Sequence, residues 1–190
     1  MIRHAYDAST PPSKPLTGCQ AALGYIGGNT PHVWTPDEWN AATANGRLRC
    51  GPIWVAAPNI SVYTQARDAV AKLHLFGWKA DRFPHKCMLF LDSETSRNVT
   101  FIQEFANELW ADGFVTGDYR SLEALTAAPS GLPEWVAHWN VPPGPFTDRQ
   151  IMFQYMAEVP FDNTTVDLDA LDDACWHHLG IGPRRGPGRA

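Results

Sequence analysis

Two carboxylic acids follow a short apolar run in the stretch CMLFLDSETSR, which begins at Cys87. Residues two apart on a strand point to the same side, so Asp92 and Glu94 are predicted to face together where this strand ends. Two adjacent carboxyls cannot both ionise freely, and the pKa of one of them should rise. A protonated acid beside a charged one is the pair that cleavage of a glycosidic bond requires. A structural alternative also stands, in which Asp92 caps a loop and Glu94 points into solvent.

Further polar and aromatic residues recur at the ends of other predicted strands. Asp7 ends the first strand and Asp167 ends the eighth, and these two strands are neighbours in a closed barrel. The catalytic candidates are therefore Glu94, Asp92, Asp7 and Asp167, gathered at one mouth. Strands five, six and seven end in residues that could bind a carbohydrate substrate: Tyr119, His138, Trp139, Gln154 and Tyr155.

The chain lacks the signatures of other common catalytic sites. No GxSxG motif indicates a serine hydrolase, and no CxxC pair indicates a zinc site. In CWHH, which begins at Cys175, the two histidines are adjacent and face different sides of a helix. A metal-binding pair would stand at i and i+4 instead. We therefore expect neither a metal nor a cofactor.

Composition excludes several classes of partner. The 190 residues carry a formal charge of -5, so the domain offers no basic field for nucleic acid. No apolar run approaches the roughly 20 residues that a membrane helix needs. The first residues, MIRHAYDAST, lack the apolar stretch of a secretory signal. We expect synthesis in a bacterial host cytoplasm, without a signal peptide, and no nucleic-acid or membrane partner.

Short apolar runs alternate with helical patterns, which indicates an α/β fold. Helices are predicted over residues 35–46, 61–77, 98–113, 121–128 and 168–180. The first of them has Thr35 as its N-cap and Glu38 three residues later, the pattern of a capping box. Strands are predicted over residues 2–6, 22–28, 51–57, 87–92, 114–119, 134–139, 151–156 and 164–168.

Eight parallel strands with helices outside predict a small, irregular (β/α)8 TIM-like barrel, with helices missing between the late strands. A doubly wound open sheet is the main competitor, although nothing resembles a GxGxxG turn after the first strand. The predicted barrel domain spans residues 1–180. Residues 181–190, rich in Gly, Pro and Arg, are predicted to form a linker or a flexible tail.

Six short motifs occur in an order that resembles glycoside hydrolase family 25, the phage and bacterial muramidases. They are YDAS, FLDSE, FVTGDYRS, EWVAHW, MFQYM and TVDLDAL. The sections GYIGG, TPDEWNAATANG and GPIWVA are similar to a related glycoside-hydrolase-like domain of unknown function in actinobacteria and their phages. The resemblance covers residues 5–176. It departs from the muramidases at Tyr6 and Ala8, which flank Asp7, and at Trp139, where that family usually has Tyr.

The resemblance implies hydrolysis of the β-1,4 bond between N-acetylmuramic acid and N-acetylglucosamine in peptidoglycan. By this match Glu94 is the general acid, Asp92 the acid beside it, and Asp7 and Asp167 the outer acids. The same match places Tyr119, Trp139 and Tyr155 along the sugar groove.

Two functions from different classes follow. The first is a phage or bacterial cell-wall glycosidase, released at lysis or carried by the virion. The second is a non-catalytic tail or capsid-decoration protein that uses the barrel to bind wall glycan. In that case the C-terminal tail could contact other virion proteins.

Overall fold

The chain forms a closed eight-stranded barrel with helices packed on part of its outer surface. The computed structural model describes residues 2–78, 87–94, 98–140, 142 and 146–181. The strands are β1 (Arg3–Ala8), β2 (Ala21–Gly28), β3 (Arg49–Val55), β4 (Met88–Asp92), β5 (Val115–Ser121), β6 (Glu134–Ala137), β7 (Gln150–Phe161), β8 (Thr164–Leu171) and the short β9 (Gly180–Ile181). The helices are α1 (Pro36–Ala42), α2 (Val62–Leu75), α3 (Val99–Ala111), α4 (Leu122–Ala127) and α5 (Asp173–His178). The predicted small, irregular TIM-like barrel is confirmed.

Strand pairing closes the ring and reveals one departure from the prediction. From β1 to β7, each strand pairs in parallel with the next one along the chain. β8 closes the barrel between β7 and β1 and runs antiparallel to both. The prediction of eight parallel strands is wrong for β8, because strands joined by a tight turn pair antiparallel.

β7 and β8 form a hairpin that is longer than predicted. β7 pairs with β6 as far as Gln154 and then continues to Phe161 beside β8 alone. Pro160 disfavours a strand, but proline is accepted on an edge, and this end of β7 has no β6 partner. At the turn, Asp162 has a φ of 56°. Its carboxylate accepts a hydrogen bond from the backbone N–H of Ser13 at 2.9 Å, which ties the hairpin to the segment after β1.

Between the late strands, the described residues form no helix, as predicted. In the residues that the structure describes between β6 and β7 there is no helix, and a turn alone joins β7 to β8. The early crossover helices are present, and α1 has its predicted capping box. Glu38 Oε2 accepts from the Thr35 backbone N–H at 2.6 Å, and Thr35 Oγ1 accepts from the Glu38 N–H at 3.3 Å.

Two helical predictions need correction. Leu168 and Leu171 were assigned to the last helix but belong to β8, and α5 begins only after Asp172. Asp172 caps it, since its Oδ1 accepts from the Cys175 N–H at 2.7 Å. The spacing of apolar residues over 98–113 predicts Trp110 on the buried face of α3, yet 60% of its surface is exposed.

The barrel interior and the layer beneath the helices are separate apolar cores. The interior core contains inward-facing residues of most strands, such as Leu23, Phe90 and Trp135. The outer core fills the space between the strands and the helices, with Trp34, Trp39 and other buried side chains.

In the described part of the chain no helix is long and apolar enough to span a bilayer. Residues 182–190 of the predicted tail lie outside the described residues.

Candidate active site

The four predicted catalytic acids lie at the end of the barrel where β4 terminates. Asp7 of β1 and Asp167 of β8 are directly opposite each other in the strand pairing. Asp92 is the last residue of β4 and pairs with Tyr119 of β5. Asp92 has the same strand parity as Met88 and Phe90, which belong to the interior core, so it faces into the barrel.

Glu94 follows the strand end and completes the group. Its backbone N–H donates to Asp92 Oδ1 at 3.3 Å. Its side chain is exposed, yet it is close enough to Asp92 and Asp167 to be affected by their charges. Between the two acids, Ser93 is fully buried on the opposite side. The predicted alternation of side-chain direction from Asp92 to Glu94 therefore continues past the end of β4.

Gln154 connects the acids to two aromatic residues. Its amide nitrogen donates to Asp7 Oδ2 at 2.9 Å and to Asp167 Oδ2 at 3.1 Å. Its amide oxygen accepts from the Tyr119 hydroxyl at 2.9 Å and from the Trp139 indole N–H at 2.6 Å. An amide side chain has two donors and two acceptor positions, and all four are used here. Gln154, predicted to bind substrate, thus lies at the mouth and joins two of the acids to two aromatic side chains.

A fifth acid, Asp169, lies inside the barrel below Asp7 and was missed in the sequence. It is fully buried, and its Oδ1 accepts from the Trp135 indole N–H at 2.9 Å. Its Oδ2 has no hydrogen-bond donor among the described residues. An unpaired carboxylate oxygen is costly in the interior, and burial raises the pKa of Asp169 well above its usual range. The motif VDLD contained the signal, because Asp167 and Asp169 are two apart on one strand.

These five residues, Asp7, Asp92, Glu94, Asp167 and Asp169, are called the acid cluster below. Burial raises the pKa of Asp92 to about 6, against the opposing hydrogen bond from Glu94 N–H. Burial, followed by the charges of Asp92 and Asp167, raises the pKa of Glu94. Burial and the charge of Asp167 raise the pKa of Asp7 well above its usual range. Several carboxyls of the cluster therefore hold protons nearer to neutral pH than usual.

No cation compensates the acid cluster in the described part of the chain. The ion pairs found there involve Asp173, Glu38, Asp118 and Glu134, and none of the five clustered acids.

Tyr25 of β2 is a second residue that the sequence analysis did not single out. Burial, then the charge of Asp7 and those of other clustered acids, raise the pKa of its hydroxyl. The stretch GYIGG was read only as a glycine-rich strand end.

An open groove of about 720 Å³ lies between α4 and the end of β6. Trp139 connects this groove to the acid cluster through Gln154 and leaves 49% of its own surface exposed. His138 also lines the groove and is exposed. Leu122, Glu123 and Thr126 of α4 form the facing wall. Trp139 and His138 thus lie where a chain of sugars could extend from the mouth, with an aromatic face available for stacking.

Tyr155 is the one predicted residue that the structure does not bring to the mouth. Its hydroxyl lies 3.4 Å from His4 Nδ1, and the two rings meet edge to face with centroids 6.2 Å apart. Because Gln154 points inward, the next residue on the strand points outward. Tyr155 therefore lies on the outer surface of the barrel wall, which corrects the expectation that it lines the sugar groove.

The described residues contain no group of three or more His, Cys, Asp or Glu side chains placed to hold a metal ion. Two elements position the acid cluster, the end of β4 and the antiparallel pair of β1 and β8. Such a set of acids can donate a proton to a leaving group and stabilise positive charge that develops beside it.

No protein-family model matches the chain, and no curated protein sequence matches it either. Solved structures do share its fold. A glycosyl hydrolase 25 of Streptococcus pneumoniae, the virulence factor GHIP, aligns with a TM-score of 0.62 at 11% identity, over 90% of this chain and 87% of that one. The Tat-secreted protein Rv2525c of Mycobacterium tuberculosis, solved with L-tartrate, aligns with a TM-score of 0.63 at 11% identity, over 95% and 98% of the two chains.

The modular autolysin LytC of Streptococcus pneumoniae, solved with a synthetic peptidoglycan ligand, aligns with a TM-score of 0.66 at 10% identity. The alignment covers 90% of this chain and 47% of LytC, so the chain spans about half of that protein. At these identities the likeness concerns the fold. The predicted resemblance to glycoside hydrolase family 25 is confirmed to that extent: the chain shares its fold with a glycosyl hydrolase 25 and with the autolysin LytC.

Proposed function

We propose that this protein is a peptidoglycan-directed glycoside hydrolase that cleaves the bond between N-acetylmuramic acid and N-acetylglucosamine. The acid cluster carries the proposal. It places several carboxyls at the open end of a barrel, without a compensating cation in the described residues. A structural role alone would favour paired or solvated carboxyls, because each buried acid with a raised pKa lowers stability above that pKa.

In this mechanism Glu94 protonates the glycosidic oxygen as the bond breaks. It is the exposed member of the cluster, so a substrate can reach its carboxyl, and its raised pKa helps it to keep a proton. Asp92, held by the Glu94 N–H, lies beside it and stabilises positive charge at the sugar. Gln154 holds Asp7 and Asp167 in fixed orientations below the sugar. The groove at Trp139 accommodates the neighbouring sugars.

The test is release of reducing sugars from purified actinobacterial peptidoglycan between about pH 4 and pH 8. Glu94→Gln is expected to abolish release, because the amide has no proton to donate, while it still binds the insoluble wall in a pull-down. Its melting temperature should stay close to that of the wild type. Glu104→Gln, on the exposed face of α3, is the matched control and should cleave normally.

A wild-type protein that binds the wall but cleaves nothing across this pH range would contradict the proposal. It would instead support the second function, a non-catalytic module that holds cell-wall glycan. The exposed Trp139 at the groove is the observation that favours this second function, since stacking on a sugar needs no proton transfer.

We further propose that the protein acts in a phage, either as a lysin released at lysis or as a virion protein. This proposal rests on the sequence motifs. A neighbouring holin gene would support the lysin, whereas adjacent tail or capsid genes would support the virion protein.

A further inference from the structure

A buried ion pair lies on the outer side of the barrel wall, behind the acid cluster. Asp118 and Arg120 of β5 are both fully buried. Arg120 Nη2 donates to Asp118 Oδ2 at 2.6 Å, and Arg120 Nε donates to Oδ1 at 3.0 Å. Two serine hydroxyls complete the arrangement: Ser93 donates to Oδ1 at 3.0 Å and Ser130 to Oδ2 at 2.6 Å. These four residues are called the clamp.

The clamp reaches the acid cluster through Ser93, which lies between Asp92 and Glu94 in the sequence. Its side chain points away from the mouth and is fully buried. Its backbone N–H donates to Tyr119 O at 3.3 Å, which continues the β4–β5 pairing one residue beyond the end of β4. The residue next to Glu94 is therefore held by a hydroxyl bound to a buried carboxylate.

The other side of the clamp reaches the groove. Arg120 Nη2 donates to the backbone carbonyl of Ala128 at 3.0 Å, and Nη1 lies 3.5 Å from that of Ala124. Ala124 belongs to α4, and Ala128 caps it. The same helix supplies one wall of the groove that Trp139 lines. One guanidinium thus joins the groove wall to the carboxylate that holds Ser93.

We propose that the Asp118–Arg120 ion pair of the clamp positions Glu94 through Ser93, whereas Ser130 binds the same carboxylate without reaching the active site. The proposal rests on the proposed glycosidase function and adds to it a named positioning residue that does not contact substrate. The physical reason is that Glu94 lies two residues beyond the end of β4, so the hydrogen bonding of β4 alone does not fix it. Without the bond from Ser93, the carboxyl would sample orientations that miss the glycosidic oxygen.

Two serine variants form a matched pair for the test. Ser93→Ala and Ser130→Ala each remove one hydroxyl from the same Asp118 carboxylate, but only Ser93 is on the acid-bearing loop. Ser93→Ala is expected to lower kcat on peptidoglycan by roughly 10-fold to 100-fold with KM within about twofold. Ser130→Ala should leave both constants near those of the wild type. Both variants should lose thermal stability to a similar extent.

Amide hydrogen exchange on the full chain gives a second readout that needs no catalysis. Ser93→Ala should speed exchange at the backbone amides of positions 93 and 94, whereas Ser130→Ala should not. If the wild type cleaves nothing, the proposed function fails, and this exchange comparison alone decides whether the clamp positions Glu94. Equal effects of the two variants on kcat and on exchange, or no effect of either, would overturn the proposal.

Discussion

The acid cluster lies on the inner side of the barrel wall and the clamp on the outer side. Their buried carboxyls differ in the hydrogen-bond partners that surround them. Asp118 of the clamp and Asp169 of the acid cluster are both fully buried. Asp118 accepts from a guanidinium and from two hydroxyls. Asp169 accepts from the indole N–H of Trp135, and its second oxygen has no donor among the described residues.

The difference shows that two equally buried carboxyls can have very different partners. A guanidinium offsets the cost of removing a carboxylate from water, so the buried pair of Asp118 and Arg120 fixes what surrounds it. Burial, followed by the charges of Asp7 and Asp167, raises the pKa of Asp169 well above its usual range. The outer face of the wall therefore supplies rigidity, and the inner face supplies acids that hold protons.

Removing the cation of the clamp should have the largest effect on stability. Arg120→Leu leaves the Asp118 carboxylate buried without a counter-ion, and we expect the free energy of unfolding to fall by about 3–5 kcal/mol. Urea denaturation measures this loss. The double variant Asp118→Asn, Arg120→Leu should recover part of it, because no unpaired charge remains. A single variant as stable as the wild type would show that the ion pair does not stabilise the wall.

In the acid cluster, neutralising the largely buried Asp92 should stabilise the protein. In the folded state Asp92 keeps its proton up to about pH 6, against 3.8 for the ordinary group. The folded protein therefore binds more protons in this window, so its stability falls as pH rises through it. Asp92→Asn removes that loss, and we expect a gain of about 2–3 kcal/mol above pH 6 and little gain below pH 3.8.

Denaturation at a series of pH values measures this gain. The exposed Asp68 on α2 provides a control, since Asp68→Asn should show no such pH-dependent gain. A gain for Asp92→Asn that is independent of pH, or a loss above pH 6, would contradict the assignment of Asp92 to the uncompensated side of the wall.

The smallest expected effect concerns the neutral contact that joins the acids to the aromatic residues. Tyr119→Phe removes one of the two donors to the Gln154 amide oxygen and leaves Trp139 bound to it. We expect stability to fall by about 0.5–1.5 kcal/mol. The loss should be the same at pH 4 and pH 8, in contrast to the effect of Asp92→Asn. A pH-dependent loss would mean that Gln154 also controls the protonation of the acids that it binds.

Local patterns in the sequence predicted much of this fold. The alternation of Asp92, Ser93 and Glu94 after a buried strand places two acids on one side and the serine on the other, and the structure has that arrangement. The capping box at Thr35 is equally local, since its two partners are three residues apart. The residues predicted to meet at the mouth meet there, except for Tyr155. Their catalytic roles remain predictions.

Other features required the tertiary structure, and β8 is the clearest example. The sequence placed Asp167 at the mouth by assuming that β8 is parallel, with this acid near its end. The strand is antiparallel, and Asp167 reaches the mouth because it lies in the first half of β8, opposite Asp7. The predicted strand also ended too early, at Leu168, so Asp169 was not recognised as a strand residue that faces the same side as Asp167.

The sequence by itself determined which residues alternate, which cap helices, and which short runs become strands, because these depend on neighbours a few positions away. Only the tertiary structure decided the direction of β8, the inward or outward side of each strand end, and the pairing of Asp118 with the guanidinium of Arg120. The physical reason is that an alternating strand has the same period of two in either direction. Its direction and the partners of its buried charges are fixed by pairing with distant parts of the chain.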